Sequence, residues 1–417
     1  MGKLHDLLLS SDKKKIFEFN SKPTVGYTTG LLPFDYQNGY IVRVDNRKDP
    51  KKVPDKWINT GLQGGSFCTI VGNTNVGKTA LAVKCGSAMI RNFDLGDFYH
   101  IDAEGTSNPT RIMQLNNFTE AEMTDKYHFP DIDYVEDTFK LIYNLAMIKT
   151  SNKEFLYDTG KFTEVGEKII IPQPTAVLID SLPSLQTKDV EDSDDLGSQT
   201  YNMRLAIAYN TFYKRLRPII RKANINVMAI NHIKEKPQLG FVQTQAKVQL
   251  LSPNESIPGG SGPLYYSQTL LRLKYRGKYV EEKHGFNGFL AEAEFLKSKT
   301  NRSGAKVELV FDYDTGFDEW LTLLHMAQEL SVIKGRNPYS FFESDPSLKF
   351  NTKEFREVIK DENLRNAMLK DMAPKLYEQV AKGVIKPEKD CSPQQFVEMI
   401  NNSEWGADAD KDFVLEA

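Results

Sequence analysis

Cysteine is scarce: the 417 residues hold three, Cys68, Cys85 and Cys391. They lie far apart and in no metal-ligand spacing, so neither a disulfide framework nor a zinc site is supported and a reducing compartment is expected. Long apolar runs are missing too. The N-terminal stretch MGKLHDLLLSSDKKK has no signal-like core, and no apolar run reaches the 18 residues a membrane span needs, which excludes membrane roles and predicts a soluble, cytoplasmic protein. There is no internal repeat and no low-complexity tract. Neither sign of charge dominates: the formal net charge is -3, so any site for a polyanion must be local. With 40% apolar and 26% charged residues, the chain has the ordinary composition of a globular protein able to bury a full core.

The pattern divides the chain into three regions. Residues 1–60 mix charge, glycine and proline, and RVDNRKDPKKVPDK, Arg43 to Lys56, reads as a solvated loop after an N-terminal arm. Residues 61–325 alternate short apolar runs with helical segments. The strand candidates are 66–71, 98–104, 175–180, 225–231, 269–275, 289–299 and 306–311. The early ones are continuously apolar, as parallel strands covered on both faces are. Helices are expected over Thr79 to Asn92, where Leu81, Cys85, Ala88 and Met89 fall on one face, and over Gln199 to Ala223. Crossovers of this kind predict an α/β core with a mostly parallel, twisted sheet flanked by helices. Residues 326–417 read as a small, mainly helical region with a mildly acidic tail.

Chemistry is concentrated in GNTNVGKT. Gly72, Asn73, Thr74, Asn75, Val76, Gly77, Lys78 and Thr79 match G-x-x-x-x-G-K-[ST] between a strand and a helix, and Ala80 is counted with them as nucleotide-binding. The glycines let backbone N–H groups curl around phosphates, Lys78 neutralises the β and γ oxygens, and the Thr79 hydroxyl can ligate Mg²⁺. The run AVLID places Asp180 at the C-terminal end of a buried strand, where a carboxylate can hold the metal or its water shell; a helix-capping aspartate is the alternative. In FYHIDAEGTSNPTR, Glu104 closes another strand, expected beside the phosphate-loop strand, where a carboxylate can orient or deprotonate water next to the γ-phosphate.

The succession GNTNVGKT, IDAEGTSNPTR, AVLIDS, MAINH, PGGSGPLYYSQTLLRL and LKSKT resembles the RecA family, and within it the strand-exchange recombinases of large bacteriophages. The resemblance covers roughly residues 25 to 345 and implies a RecA-like P-loop ATPase core. It implies that Arg111 lies against adenine and that His232 senses the γ-phosphate, where bacterial members usually have Gln. It puts the second DNA-binding loop after His232, with Lys234, Lys236, Lys247 and the pair Gly259 and Gly260. The first loop falls near Gly197, Ser198 and Gln199, with Arg204 following, although the preceding KDVEDSDD is acidic. Lys297, Lys299 and Arg302 would reach across a subunit boundary to a neighbour's γ-phosphate. In residues 1 to 22, the arm that docks on the next protomer in the family, Leu7, Leu8, Ile16 and Phe17 could serve as an apolar anchor.

The implied activity is ATP- and Mg²⁺-dependent filament formation on single-stranded DNA, with pairing to homologous duplex DNA and strand exchange. A single-strand-binding protein and a mediator are further expected partners, in the host cytoplasm if the chain is phage-encoded. A hexameric replicative helicase shares this core, but the loop begins at Gly72 with little chain upstream for the usual primase-binding domain. A non-hydrolysing ATP-binding assembly is disfavoured by Glu104.

Overall fold

A computed structural model describes residues 24–47, 49–116, 118–188, 199–235, 251–252, 254–281 and 286–381. Its centre is a nine-stranded sheet. In chain order the strands are β1 (Phe67–Gly72), β2 (Asp97–Asp102), β3 (Tyr127–His128), β4 (Thr175–Asp180), β5 (Ile225–His232), β6 (Thr269–Glu281), β7 (Phe286–Ser298), β8 (Lys306–Asp312) and β9 (Gly316–Phe317). Across the sheet they run β9-β8-β7-β6-β1-β5-β4-β2-β3. From β6 to β3 all neighbours are parallel, whereas β6, β7, β8 and β9 form an antiparallel meander. The expectation of a parallel sheet therefore holds for the half joined by helical crossovers. Where short turns replace the crossovers, consecutive strands pair antiparallel.

Residues alternate between the two faces of the parallel half. On one face Ala176, Leu178, Met228 and Ile230 pack with Leu81, Cys85 and Met89 of helix α1 (Lys78–Ile90). On the other, Val177, Ile179, Val227 and Ala229 meet α2 (Val135–Ser151) and α3 (Gln199–Ala223). Covering both faces is why these strands read as unbroken apolar runs. Helix α2 was not apparent in the sequence, yet Val135, Thr138, Ile142, Ala146 and Lys149 fall on one buried stripe. The interruption by Thr138 and Lys149 hides its apolar period.

Lys149 is only 3% exposed. Its ammonium donates to the Gln173 carbonyl at 2.7 Å and to Thr175 Oγ1 at 2.5 Å, and burial pushes its pKa down from 10.5 to about 7. Because the unfolded chain then binds the proton more tightly, this residue makes stability rise as pH climbs from about 7 towards 10.5. Lys149→Met should remove that pH dependence: in melting curves at several pH values the wild type should gain stability relative to the variant as pH rises through the window, since the cost of burying the charged amine is greatest on the acid side. A pH-independent difference would refute it.

Outside the sheet, the segment read as a loop is more structured than expected. Tyr40–Arg43 pairs antiparallel with Lys56–Asn59, so Arg43 to Lys56 closes a hairpin. Val42, Val44 and Trp57 pack with Val25 and Ile169 into a small separate core, the last from a second hairpin formed by Leu156–Phe162 and Lys168–Pro172. The C-terminal region has the expected helices, notably α4 (Glu319–Glu329) and α5 (Glu362–Ala381), but also a three-stranded antiparallel sheet of Ile333–Lys334, Ser340–Phe342 and Asp345–Phe350. Phe342, Phe350, Phe355, Met368 and Met372 share one core with Trp320 and Leu324, which ties this region to the meander through Val310. Among the described residues no helix is long and apolar enough to cross a membrane.

Candidate functional site

The phosphate loop leaves β1 at Gly72 and enters α1 at Lys78. Asn73, Thr74 and Asn75 are exposed at its apex, while Val76 is buried beneath. Gly77 has φ 86°, and a Cβ there would press to 3.3 Å on the Phe317 ring, so both the turn and the packing require glycine. Helix α1 has no side-chain cap, which leaves its first N–H groups directed at the loop, an anion cradle built from backbone. Lys78 folds back to donate to the Asn73 carbonyl at 2.6 Å; burial lowers its pKa, against the opposing pull of Asp180 and Glu104.

Asp180 ends β4, and its Oδ2 accepts from Thr79 Oγ1 at 2.6 Å. Burial is the main cause that raises its pKa to about 6, with Glu104 and Asp102 adding repulsion. A buried carboxylate held against a threonine hydroxyl in this way offers oxygen donors that would fit a hard divalent cation such as Mg²⁺. Among the described residues no three His, Cys, Asp or Glu side chains form a metal cluster by themselves.

Glu104 arrives by an unexpected route. Its strand is not beside the phosphate-loop strand: β5 and β4 stand between β1 and β2. Nor does Glu104 belong to β2, which stops at Asp102; it lies in the following turn, where its N–H donates to the Asp180 carbonyl at 3.2 Å. That turn carries the carboxylate back towards β5, whose last residue, His232, places Nε2 3.5 Å from Glu104 Oε1. β5 is the immediate neighbour of β1, with His232 opposite Gly72. The strand order was wrong in the reading from sequence, but the loop geometry recovers the juxtaposition. Asp102, facing Asp180 across β2 and β4, was missed; one of its oxygens is buried without a hydrogen bond and the other accepts from Ser107 N–H. Its signal was its place two residues before Glu104.

Arg111 is held by the turn between β8 and β9, donating to the Tyr313 and Asp314 carbonyls at 2.6 Å each. Gly259 and Gly260 have φ of 93° and 70° and press on α3, where a Cβ on Gly260 would lie 3.0 Å from that of Ala206. Close packing against α3 therefore gives both glycines a structural role. Lys234 is exposed in a two-residue strand paired with Glu255–Ser256, and Arg204 is exposed on α3, which begins at Gln199. Gly197, Ser198, Lys236 and Lys247 lie outside the described residues, as do residues 1 to 22 and the acidic tail.

The cations at the end of β7 and just beyond it sit at the other end of the sheet. Cys68, Thr269 and Ser298 are aligned at one end of β1, β6 and β7, and Gly72 is aligned with Leu273 towards the other. Four strand residues, about 13 Å at ~3.3 Å each, separate Lys299 from its own chain's loop before the loop itself is counted. Lys299 and Arg302 are exposed. Lys297 instead turns inward, donating to the Leu264 and Tyr265 carbonyls at 2.6 and 2.9 Å, and burial lowers its pKa to about 8.

No family model matches the chain. Among curated proteins, the "Recombination and repair protein" of Enterobacteria phage T4 is 28% identical over 201 residues, 48% of this chain and 44% of that protein. A "DNA repair protein RAD51 homolog" of Solanum lycopersicum is 24% identical over 249 residues, 58% of this chain and 64% of that one. The matches thus span between about two fifths and two thirds of these relatives' length. A crystal structure of the RadB recombinase aligns with a TM-score of 0.39 and 16% identity, over 62% of this chain and 92% of that one. Over about half to three fifths of its length the chain is thus similar to curated recombination and DNA repair proteins.

Proposed function

We propose that the chain is an ATP-dependent DNA recombinase that assembles into helical filaments on single-stranded DNA, pairs it with homologous duplex DNA and exchanges strands. The observation that carries this reading is the division of labour along the sheet. A phosphate loop with Thr79, Asp180, Glu104 and His232 occupies one end, and exposed cations occupy the other. A site whose complement lies at the opposite end of the same molecule makes head-to-tail contacts, and these build open helical polymers or rings rather than isologous pairs.

In this reading the loop N–H groups and the α1 terminus hold the β and γ phosphates, and Lys78 leaves the Asn73 carbonyl to neutralise them. Magnesium, when bound, supplies charge neutralisation between the phosphates, and Thr79 and Asp180 are the residues that would hold it. Glu104 accepts a proton from water as its oxygen attacks the γ-phosphorus and the bond to the ADP oxygen breaks. His232, in contact with Glu104, reports the presence of the γ-phosphate, and Arg111 lies against the base. Lys234, Arg204 and the segments around Gln199 and Gly259–Gly260 serve the DNA side. Sequence identity is tested by base pairing, so the protein grips backbone; the setting is the cytoplasm, with a single-strand-binding protein and a mediator as partners.

The test is ATP turnover with and without single-stranded DNA, together with electron micrographs. Stimulated turnover, helical filaments and affinity that falls with salt but not with base sequence are expected. Closed rings with directional unwinding would replace this reading with a helicase. Lys299→Ala should raise the ATP concentration needed for filament assembly roughly tenfold, the scale of one partly exposed charge contact, with monomer melting unchanged because the side chain is exposed. Filaments that form at wild-type ATP levels would remove Lys299 from the boundary.

A further inference from the structure

We propose that Arg217 is a second arm of the subunit boundary, receiving together with Lys299 the triphosphate held by a neighbouring copy's phosphate loop, while Lys297 shapes that edge without contacting the anion. The inference rests on the recombinase reading and refines it.

Arg217 projects from the last two turns of α3, which ends at Ala223 just before β5 starts, and so lies at the end of the sheet remote from its own loop. It is exposed and lines a cavity of about 580 Å³ whose wall includes Ser66 before β1 and Tyr266 and Gln268 before β6. That wall carries two arginines, Arg217 and Arg221, against one carboxylate, Glu164. The Gln268 carbonyl accepts the Lys299 N–H at 3.1 Å, which places Lys299 at the rim of the same cavity. Among the described residues neither Arg217 nor Lys299 is held in an ion pair.

The proximity of these charges has an electrostatic trace. After burial, Arg217 is the cause that lowers the pKa of Lys299, and it contributes to lowering that of Lys297. Like charges brought together cost free energy in the isolated subunit and are relieved only by an incoming anion. Lys297 meets its share of the cost by donating to two carbonyls, which commits its ammonium inward. Among the described residues Lys299 and Arg217 have no such outlet. A guanidinium also offers parallel N–H donors matched to phosphate oxygens, where an ammonium offers a point charge. Since the cavity rim stands at the far end of the strands from the loop of its own chain, the triphosphate it meets belongs to another copy.

The experiment uses full-length Arg217→Ala and Arg217→Lys alone and mixed with Lys78→Ala, with ATP turnover on single-stranded DNA as readout. Arg217→Ala should turn over at least roughly tenfold more slowly, with Arg217→Lys intermediate, since a cation donated in trans acts on the transition-state charge. Binding of a fluorescent ATP analogue to the monomer should be unchanged. An equal mixture of Arg217→Ala and Lys78→Ala should recover roughly a quarter of the wild-type rate, because random head-to-tail contacts pair an intact loop with an intact Arg217 at that frequency. Wild-type turnover by Arg217→Ala, or a mixture no faster than the average of its two components, overturns the inference while wild-type filaments leave the recombinase reading standing. A wild-type protein that forms no filament with ATP and DNA overturns both.

Discussion

Lys78→Ala should abolish ATP hydrolysis, lowering DNA-stimulated turnover by at least about a thousandfold, the range over which a cation on a transferring phosphoryl group acts. The side chain is 8% exposed, and burial is the largest influence on its pKa. It is therefore a desolvated charge whose resting partner is one backbone carbonyl, that of Asn73, with Asp180 and Glu104 acting at longer range. Such a group is costly in the empty protein and rewarding when phosphate oxygens surround it. Alanine would relieve the first effect and lose the second. The melting temperature should thus change little while both nucleotide affinity and turnover fall. Turnover within tenfold of wild type would mean that the loop does not hold the reacting phosphates.

Glu104→Gln should separate binding from chemistry. The amide keeps the shape of the side chain and its contact with His232 but cannot take a proton, so turnover should fall by about a hundredfold to ten-thousandfold, the contribution of a positioned general base. ATP affinity should stay near wild type, because Glu104 lies in the turn past β2 and outside the phosphate cradle. Filaments formed with ATP should consequently outlast those of the wild type, as the step that releases them is removed. Time-resolved light scattering after dilution reads this directly. Unaltered hydrolysis would move the base elsewhere, and Asp102, with one buried oxygen free of hydrogen bonds, is the next carboxylate at the site.

These two residues differ in how plainly the sequence showed them. Lys78 belongs to a contiguous eight-residue motif whose parts act on one another through backbone a few ångströms away, so spacing alone conveys its geometry. Asp180 was legible for a related reason: four apolar residues before it mark a buried strand, and a carboxylate closing such a strand must find a partner, here Thr79. Glu104 was assigned for a strand adjacency that does not exist. Its carboxylate reaches His232 because a turn at 103–105 bends back over the end of β4. Gly259 and Gly260 were read for DNA, yet their contacts with α3 supply a packing reason for both. Lys297 and Lys299 looked alike in LKSKT, and only the three-dimensional edge separates an ammonium turned onto two carbonyls from one left at a cavity rim.

The sequence by itself determined the α/β core, the limits of four of the nine sheet strands to within one residue and of the 25-residue helix α3, and the strand-loop-helix placing of the glycine-rich motif, because periodicity and short motifs depend on neighbours within one turn or one strand. Only the tertiary structure decided the strand order, the antiparallel meander, the hairpin hidden in a charged stretch and the meeting of Arg217 with Lys297 and Lys299 at the end of β7. These depend on contacts between residues far apart in the chain. Pairing of that kind is selected by the packing of the whole sheet, which no local pattern encodes.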